Sequence, residues 1–193
     1  MNYTNKDLLY LPLGGSGEIG MNCNLYHFED KWIMIDLGVT FSDNDSNNYE
    51  LIMPNIDFIV ERVDKLSALI LTHAHEDHIG AVPYLIQKLK NVPIYATSFT
   101  ASVLKRKFLS VGLSDYKINI MEYGKEIYIN DFILEIFSMT HSIPESNAVM
   151  IKTKQGNIFH SGDWKLDPSP LIGKPLDKRK FNSLINEGVD VMV

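Results

Sequence analysis

From Thr72 to Gly80 the chain reads Thr-His-Ala-His-Glu-Asp-His-Ile-Gly, so three of its six histidines, with Asp77 among them, fall within six residues. The apolar run Ala68 to Thr72 before this cluster reads as a strand. Beyond it, Ile79, Val82, Leu85, Ile86 and Leu89 recur at helical spacing, and Pro83 lies early enough to sit in a first helical turn. The cluster therefore joins a strand to a helix. Residues two apart on an extended backbone point to the same side, so His73 and His75 can offer both imidazoles to one metal ion. Asp77 and His78, at the turn into the helix, can reach a second ion. An incidental group of surface histidines is the plain alternative, and the concentration of the cluster at one strand–helix junction argues against it.

The rest of the chain supplies more strands than helices. Short apolar strands are expected near Leu8 to Leu13, Asn24 to Phe28 and Ile33 to Leu37, followed by a helix from Ile56 to Leu66. A second strand–helix pair follows at Val92 to Ala96 and Phe99 to Val111. Strands then dominate: Ile118 to Met121, Ile127 to Tyr128, Phe132 to Ser138, Val149 to Thr153 and Asn157 to His160. The polar run Ser42 to Asn48 reads as a loop inside one domain, because apolar patterning resumes directly after it. Val189 to Val193 reads as a strand in mid-course.

Composition narrows the chemistry. At 193 residues and 45% hydrophobic, the sequence is long enough for one domain with a sizeable core. Cys23 is the single cysteine, which excludes an intrachain disulfide and a cysteine-based zinc or iron–sulfur site, so any transition metal must sit on histidine and carboxylate. The formal charge of −6 argues against a surface that wraps nucleic acid all round, although acidic metal ligands are neutralised locally on binding. No apolar run is long enough to span a bilayer, and the first residues lack a basic stretch followed by an apolar one, so no membrane association and a cytoplasmic location are expected.

Further ligands are sought downstream. His141, in Met139-Thr140-His141-Ser142-Ile143-Pro144, and Asp163, in Phe159-His160-Ser161-Gly162-Asp163-Trp164, each follow an apolar strand, where a rigid element holds a side chain that projects into the loop layer. Alone, His141 would read as a structural histidine and Asp163 as a turn residue. Beside the first cluster both read as metal ligands. Gly14-Gly15-Ser16-Gly17 lacks the Lys-Ser/Thr of a phosphate-binding loop and the spacing of a dinucleotide turn, and reads as a close-packed turn beside the site. Lys105-Arg106-Lys107 and Lys174 with Lys178-Arg179-Lys180 are basic clusters able to meet an RNA backbone or simply to face solvent. His27 reads as structural and Cys23 as a buried small residue.

Four segments together, Leu13 to Asn22, His73 to Gly80, Thr140 to Ser146 and His160 to Asp167, closely resemble bacterial ribonuclease J, of the β-CASP branch of the metallo-β-lactamase fold. The resemblance runs along almost the whole chain. It implies an α/β (α+β) fold, the αββα four-layer sandwich, and a hydrolase that digests RNA from its 5′ end and also cuts internally, using two zinc ions. Carried over by motif, His73, His75 and His141 hold one zinc, Asp77 and His78 the other, and Asp163 bridges both. Asp77 and Asp163 are thereby the carboxylates placed in the catalytic centre. Asp36, in Ile35-Asp36-Leu37-Gly38, orients a ligand, and His160 falls on a strand rather than on a metal.

The resemblance also implies what is absent. Residues 1–193 correspond to the N-terminal portion of a metallo-β-lactamase domain. The β-CASP domain and the C-terminal completion, with a last histidine ligand, lie outside it, so the sandwich is expected to be incomplete at its C-terminus. Manganese suits the same donors as zinc. RNA is the expected partner, and homo-oligomerisation of the complete protein stays open. Two other classes remain on residue grounds: a metallo-hydrolase of esters or thioesters, and a non-catalytic metal-binding or RNA-binding fragment.

Overall fold

A computed structural model describes residues 4–42, 50–90, 92–114, 116–173 and 175–193. The loop expected from Ser42 to Asn48 falls almost wholly outside the described residues, as does Lys174 of the second basic cluster. The first half of the chain builds one sheet. Its strands are β1 (Leu9–Gly14), β2 (Cys23–Phe28) and β3 (Lys31–Ile35), followed by the small pair β4 (Thr40–Phe41) and β5 (Leu51–Ile52) and one turn of helix, α1 (Asp57–Val60). Then come β6 (Leu66–Ile70), the short helices α2 (Glu76–Ile79) and α3 (Val82–Leu85), β7 (Ile94–Ala96), the long helix α4 (Ser98–Ser110) and β8 (Ile118–Ile120). The spatial order is β1-β2-β3-β6-β7-β8, antiparallel across β1, β2 and β3 and parallel from β3 onward.

The second half builds the other sheet from β9 (Glu126–Ile129), β10 (Phe132–Ser138), β11 (Asn147–Lys152) and β12 (Asn157–His160), an antiparallel meander. After α5 (Lys178–Glu187), strand β13 (Val191–Met192) adds to its edge, parallel to β12.

Period-two alternation decides how these sheets stack. In β2 and β3, Tyr26, Phe28, Ile33 and Ile35 face the second sheet, meeting Phe132, Leu134, Ile136, Val149 and Ile151 in an inter-sheet core. The alternate residues Leu25, Trp32 and Met34 face the other way, onto Ile79, Val82, Ile86, Leu104 and Phe108 of the helical layer. On the far side, Phe137, Ala148, Met150 and Phe159 pack under Leu184 and Phe181 of α5. The result is helix, sheet, sheet, helix, the layering that both apolar faces of each sheet demand. Burial of each large side chain in these layers contributes about 1.5–3 kcal/mol. Among the described residues no helix is long and apolar enough to cross a membrane.

Several expectations need correction. The helix from Ile56 to Leu66 is only one turn of α1 and a 3-10 turn at Val63–Lys65, because Leu66 already pairs with Trp32 in the sheet. The helix after Ile79 is likewise split into α3, with Pro83 in its first turn, and a 3-10 turn at Ile86–Leu89, stopped at Lys90 with φ 45°. Lys178 to Lys180 are not a bare charge cluster but the first turn of α5. Its N-cap Asp177 accepts from the Arg179 and Lys180 amides, and Phe181 and Leu184 form its apolar face. Cys23 is fully buried and its thiol is pushed up to about 12, chiefly by burial and then by the charge of Asp36, which fits an inert packing residue.

Candidate metal centre

Asp36 and four of the candidate ligands stand just beyond the C-terminal ends of strands: Asp36 after β3, His73 and His75 after β6, His141 after β10 and Asp163 after β12. Because β3 and β6 run parallel, and β10 and β12 both run antiparallel to β11, these ends gather along one edge of the sandwich. Asp77 and His78 arrive on α2, a single helical turn directly after His75.

Asp36 organises the buried half of the site. Its backbone takes φ 62°, with its amide donating to the Ile70 carbonyl at 2.9 Å, and its side chain is wholly buried. The carboxylate accepts from the Thr72 amide at 2.8 Å, the Thr72 hydroxyl at 2.8 Å and His78 Nδ1 at 2.7 Å. Three donors offset a conformation that is unfavourable for a residue with a Cβ. Burial alone would raise its pKa, but the charge and hydrogen bond of His78 outweigh it and hold the carboxyl below the usual range.

With Nδ1 committed to Asp36, His78 turns Nε2 towards Asp163 Oδ1 at 3.4 Å, Asp77 Oδ2 at 3.5 Å and Asn22 Nδ2 at 3.1 Å. Burial opposes its charge, yet Asp36 and the hydrogen bonds to Asp163, Asp36 and Asp77 raise its pKa well above that of an ordinary histidine. The Asp163 carboxyl is held at about 2, first through its hydrogen bond with His78 and against the opposing effect of burial. In Asp77, burial is likewise outweighed by the hydrogen bond and charge of His78, and the pKa is lowered. Carboxylates thus face the His78 ring from three sides, the electrostatics of a place that favours a cation.

A second donor set lies beside the first. His73 Nε2 and His75 Nδ1 approach to 3.0 Å, and His75 Nδ1 and His141 Nε2 to 3.2 Å. The three rings meet edge to face at interplanar angles of 77°, 87° and 72°. A tetrahedral ion bound at about 2.0–2.1 Å keeps its nitrogens roughly 3.3 Å apart, and both of these separations lie close to that. Burial and then the charge of His78 push His73 down to about 3, and burial lowers His141 too, so both lone pairs are unprotonated at neutral pH. Asp163 spans the sets: Oδ1 faces His78, while Oδ2 lies 3.6 Å from His141 Nε2. His73, buried between, lies within 4.8 Å of ligand atoms in both sets.

All six residues read as ligands from the sequence come together, with Asp36 behind His78. His160 lies on β12, buried, with Nδ1 at 2.8 Å from the Tyr26 hydroxyl, and burial lowers its pKa to about 4. His27 Nδ1 donates to the Asp7 carbonyl at 2.9 Å, a structural bond. Gly15 packs as a close turn: at φ 82°, an added Cβ would lie 2.3 Å from Asn22 Oδ1. Lys105 to Lys107 sit on α4 and Lys178 to Lys180 on α5, with Lys107 tied to Glu76, between His75 and Asp77, and Lys180 to Glu135.

Three residues were not singled out by sequence. Asn22 Nδ2 reaches the Asp77 carbonyl at 3.2 Å and His78 Nε2 at 3.1 Å, Thr72 bonds Asp36, and Asn147 donates its amide to the Thr72 carbonyl. Asn22 and Thr72 stand inside or beside motifs, but their partners are distant in sequence, and a polar residue opening the apolar β11 was the only signal at Asn147.

Residues 31–184 match a family model described as a beta-lactamase superfamily domain. Ribonuclease J of Sinorhizobium meliloti is 42% identical over 194 residues, covering 98% of this chain and 34% of that protein. Ribonuclease J of Thermus thermophilus is 38% identical over 190 residues, covering 95% of this chain and 33% of that protein. The chain therefore spans about a third of the length of the curated relatives it matches. Among solved structures, the metallo-beta-lactamase fold protein YhfI from Bacillus subtilis superposes with a TM-score of 0.57 at 16% identity, over 80% of this chain and 61% of that one. A protein of unknown function from Enterococcus faecalis gives 0.60 at 18%, over 83% of this chain and 44% of that one. At these identities the structures speak for the fold alone.

Proposed function

From a chain that belongs to the beta-lactamase superfamily and matches ribonucleases J along nearly its whole length, we propose a metal-dependent ribonuclease that hydrolyses RNA phosphodiester bonds at a two-metal centre. The chain would be the N-terminal portion of the metallo-β-lactamase domain of a longer cytoplasmic enzyme, which acts from the 5′ end of RNA and also internally. The observation that carries this reading is the placement of Asp163, whose two oxygens face two separate donor sets.

On this reading His73, His75 and His141 would hold one zinc ion, Asp77 and His78 would hold the other, and Asp163 would serve both. Manganese suits the same donors. When bound, such a pair supplies a water of lowered pKa and neutralises charge on the phosphate oxygens. The chain's own residues prepare that chemistry. Asp36 holds a proton on His78 Nδ1, so that Nε2 is the nitrogen that would give up its proton and turn a lone pair towards a metal. Burial keeps His73 neutral. The turn from Gly14 to Asn22 brings the Asn22 amide against Asp77 and His78 and limits how far either can swing.

Because Asp36, Asp77 and Asp163 raise the pKa of His78 against the opposing effect of burial, a metal ion binding its Nε2 competes with a proton. Metal affinity should weaken as the pH falls, and binding should release protons. Calorimetry of zinc binding in buffers of different ionisation enthalpy should give a buffer-dependent heat, and a buffer-independent heat would contradict the assignment.

The functional test uses the intact protein with a 5′-monophosphorylated oligoribonucleotide. Cleavage should disappear on chelation and return with zinc or manganese, with mononucleotides released from the 5′ end. Turnover of esters or thioesters with no cleavage of RNA would overturn the proposal, and tight metal uptake without any hydrolysis would assign a non-catalytic role.

A further inference from the structure

His141 has a second environment besides the ring triad. It lines a cleft of about 220 Å³ together with Lys165, Asp167, Pro170, Leu171 and Ile172. That volume is several times the roughly 30 Å³ a water molecule takes up in the liquid. The two loops that form the cleft are pinned to one another. The Lys165 amide donates to the Thr140 carbonyl at 2.7 Å, the Thr140 hydroxyl returns a bond to the Lys165 carbonyl, and the Ser146 hydroxyl donates to the Asp163 carbonyl at 3.1 Å. These bonds fix the Lys165 end of the cleft relative to His141 and Asp163.

Its lining is of two kinds. Lys165 Nζ and Asp167 Oδ2 lie 3.2 Å apart, a donor and an acceptor side by side, and the Ser169 amide holds the other Asp167 oxygen at 3.0 Å. Against them stand apolar groups in full contact with solvent: Leu171 at 103% and Ile172 at 69% relative exposure. Exposed apolar side chains next to a site usually mark contact with a ligand or partner. The Asp167 carboxylate makes the cleft a poor match for a phosphate, and the ion pair makes it a poor match for a purely aliphatic segment. A flat group with apolar faces and hydrogen-bonding edges satisfies both halves. Aspartate accepts from base amino groups, and lysine donates to ring nitrogens and carbonyls.

We propose that this cleft is a nucleobase subsite: it receives the base of a nucleotide flanking the scissile phosphate, its face on Leu171, Ile172 and Pro170 and its edge on Lys165 and Asp167. The assignment rests on the ribonuclease reading and adds a contact that positions the substrate beside His141. Recognition here is of base shape and edge, with the phosphate left to the metal centre.

The test compares two 5′-monophosphorylated oligoribonucleotides, one complete and one abasic at the nucleotide next to the cleaved bond, using the intact zinc-loaded protein. The parent should favour the complete substrate about tenfold in kcat/KM, the size of one or two hydrogen bonds with their apolar contact. Asp167→Asn, and separately the pair Leu171→Ser with Ile172→Ser, should lower that preference towards one, mainly through KM for the complete substrate, with bound metal still at the parental ratio. RNA cleavage by the parent with an undiminished preference in both variants would overturn the subsite and leave the ribonuclease reading standing. A lower melting temperature in the serine variant with an unaltered preference would assign the apolar rim to another protein segment and would equally overturn it. A parent that cleaves neither oligonucleotide removes the ribonuclease reading, and the subsite with it.

Discussion

Asp163→Ala is expected to reduce RNA hydrolysis by about 10³-fold or more, since metal-assisted charge stabilisation is worth several kcal/mol and each 1.36 kcal/mol is a factor of ten. The carboxylate addresses both donor sets with separate oxygens, Oδ1 at 3.4 Å from His78 and Oδ2 at 3.6 Å from His141. Its removal should also lower the metal content below that of the parent protein, measurable by elemental analysis after gel filtration. Asp36→Asn gives the contrast. It keeps the shape of the buried side chain but weakens its hold on His78, and partners of this kind cost about 10–100-fold in metal affinity or activity. If Asp163→Ala kept two equivalents of metal and near-parental cleavage, the bridging assignment would fail.

The second large effect is structural. At Gly38 an added Cβ would lie 1.6 Å from the Asp77 carbonyl oxygen, 2.0 Å from its carbon and 2.7 Å from the His78 amide nitrogen. All three are backbone atoms, so no rotamer change can relieve the clash. The same stretch is laced to α2 by Leu37 N to the His78 carbonyl at 2.8 Å and Val39 N to the Glu76 carbonyl at 3.0 Å. Gly38→Ala must therefore push Asp77 and His78 out of place. Overpacking of this severity costs about 3 kcal/mol or more, a fall in Tm of roughly 6–12 °C for a chain of this size. A thermal melt followed by circular dichroism checks it. Gly17→Ala is the control: it is strained at φ 79° but meets nothing within 4 Å, and should cost only about 1 kcal/mol. A Gly38→Ala melt within two degrees of the parent would refute the packing argument.

The strands and the clustering of the candidate ligands were legible in the sequence because their signals are local. Phe132 to Ser138 and Asn157 to His160 have the bounds that the apolar patterning indicates, and the spacing of His73, His75 and His78 puts the second and third rings in contact with the first. The helices fared less well. From Ile56 onward, pairing of Leu66 with Trp32 overrides a helical pattern, and no window of local sequence contains Trp32. Helix α5 was hidden by its charge: Lys178 to Lys180 drew attention, while the cap at Asp177 and the pair Phe181 and Leu184 carried the structural signal. At the site, Asp36 was reached through resemblance rather than spacing. Asn22 meets Asp77, and Thr72 meets Asp36, through the assembly of the first sheet and α2, whereas Asn147 reaches Thr72 from the second sheet, so all three roles depend on partners distant in sequence.

The stacking of the two sheets has a consequence for how the protein matures. His73, His75 and His78 belong to the half of the chain that builds the first sheet, and His141 and Asp163 to the half that builds the second. Neither half can assemble both donor sets alone. Capture of the metal pair would then come late in folding, after the inter-sheet core has closed, and would act as a clasp across the seam. The rate of metal capture during refolding would therefore serve as a clock for the docking of the two halves.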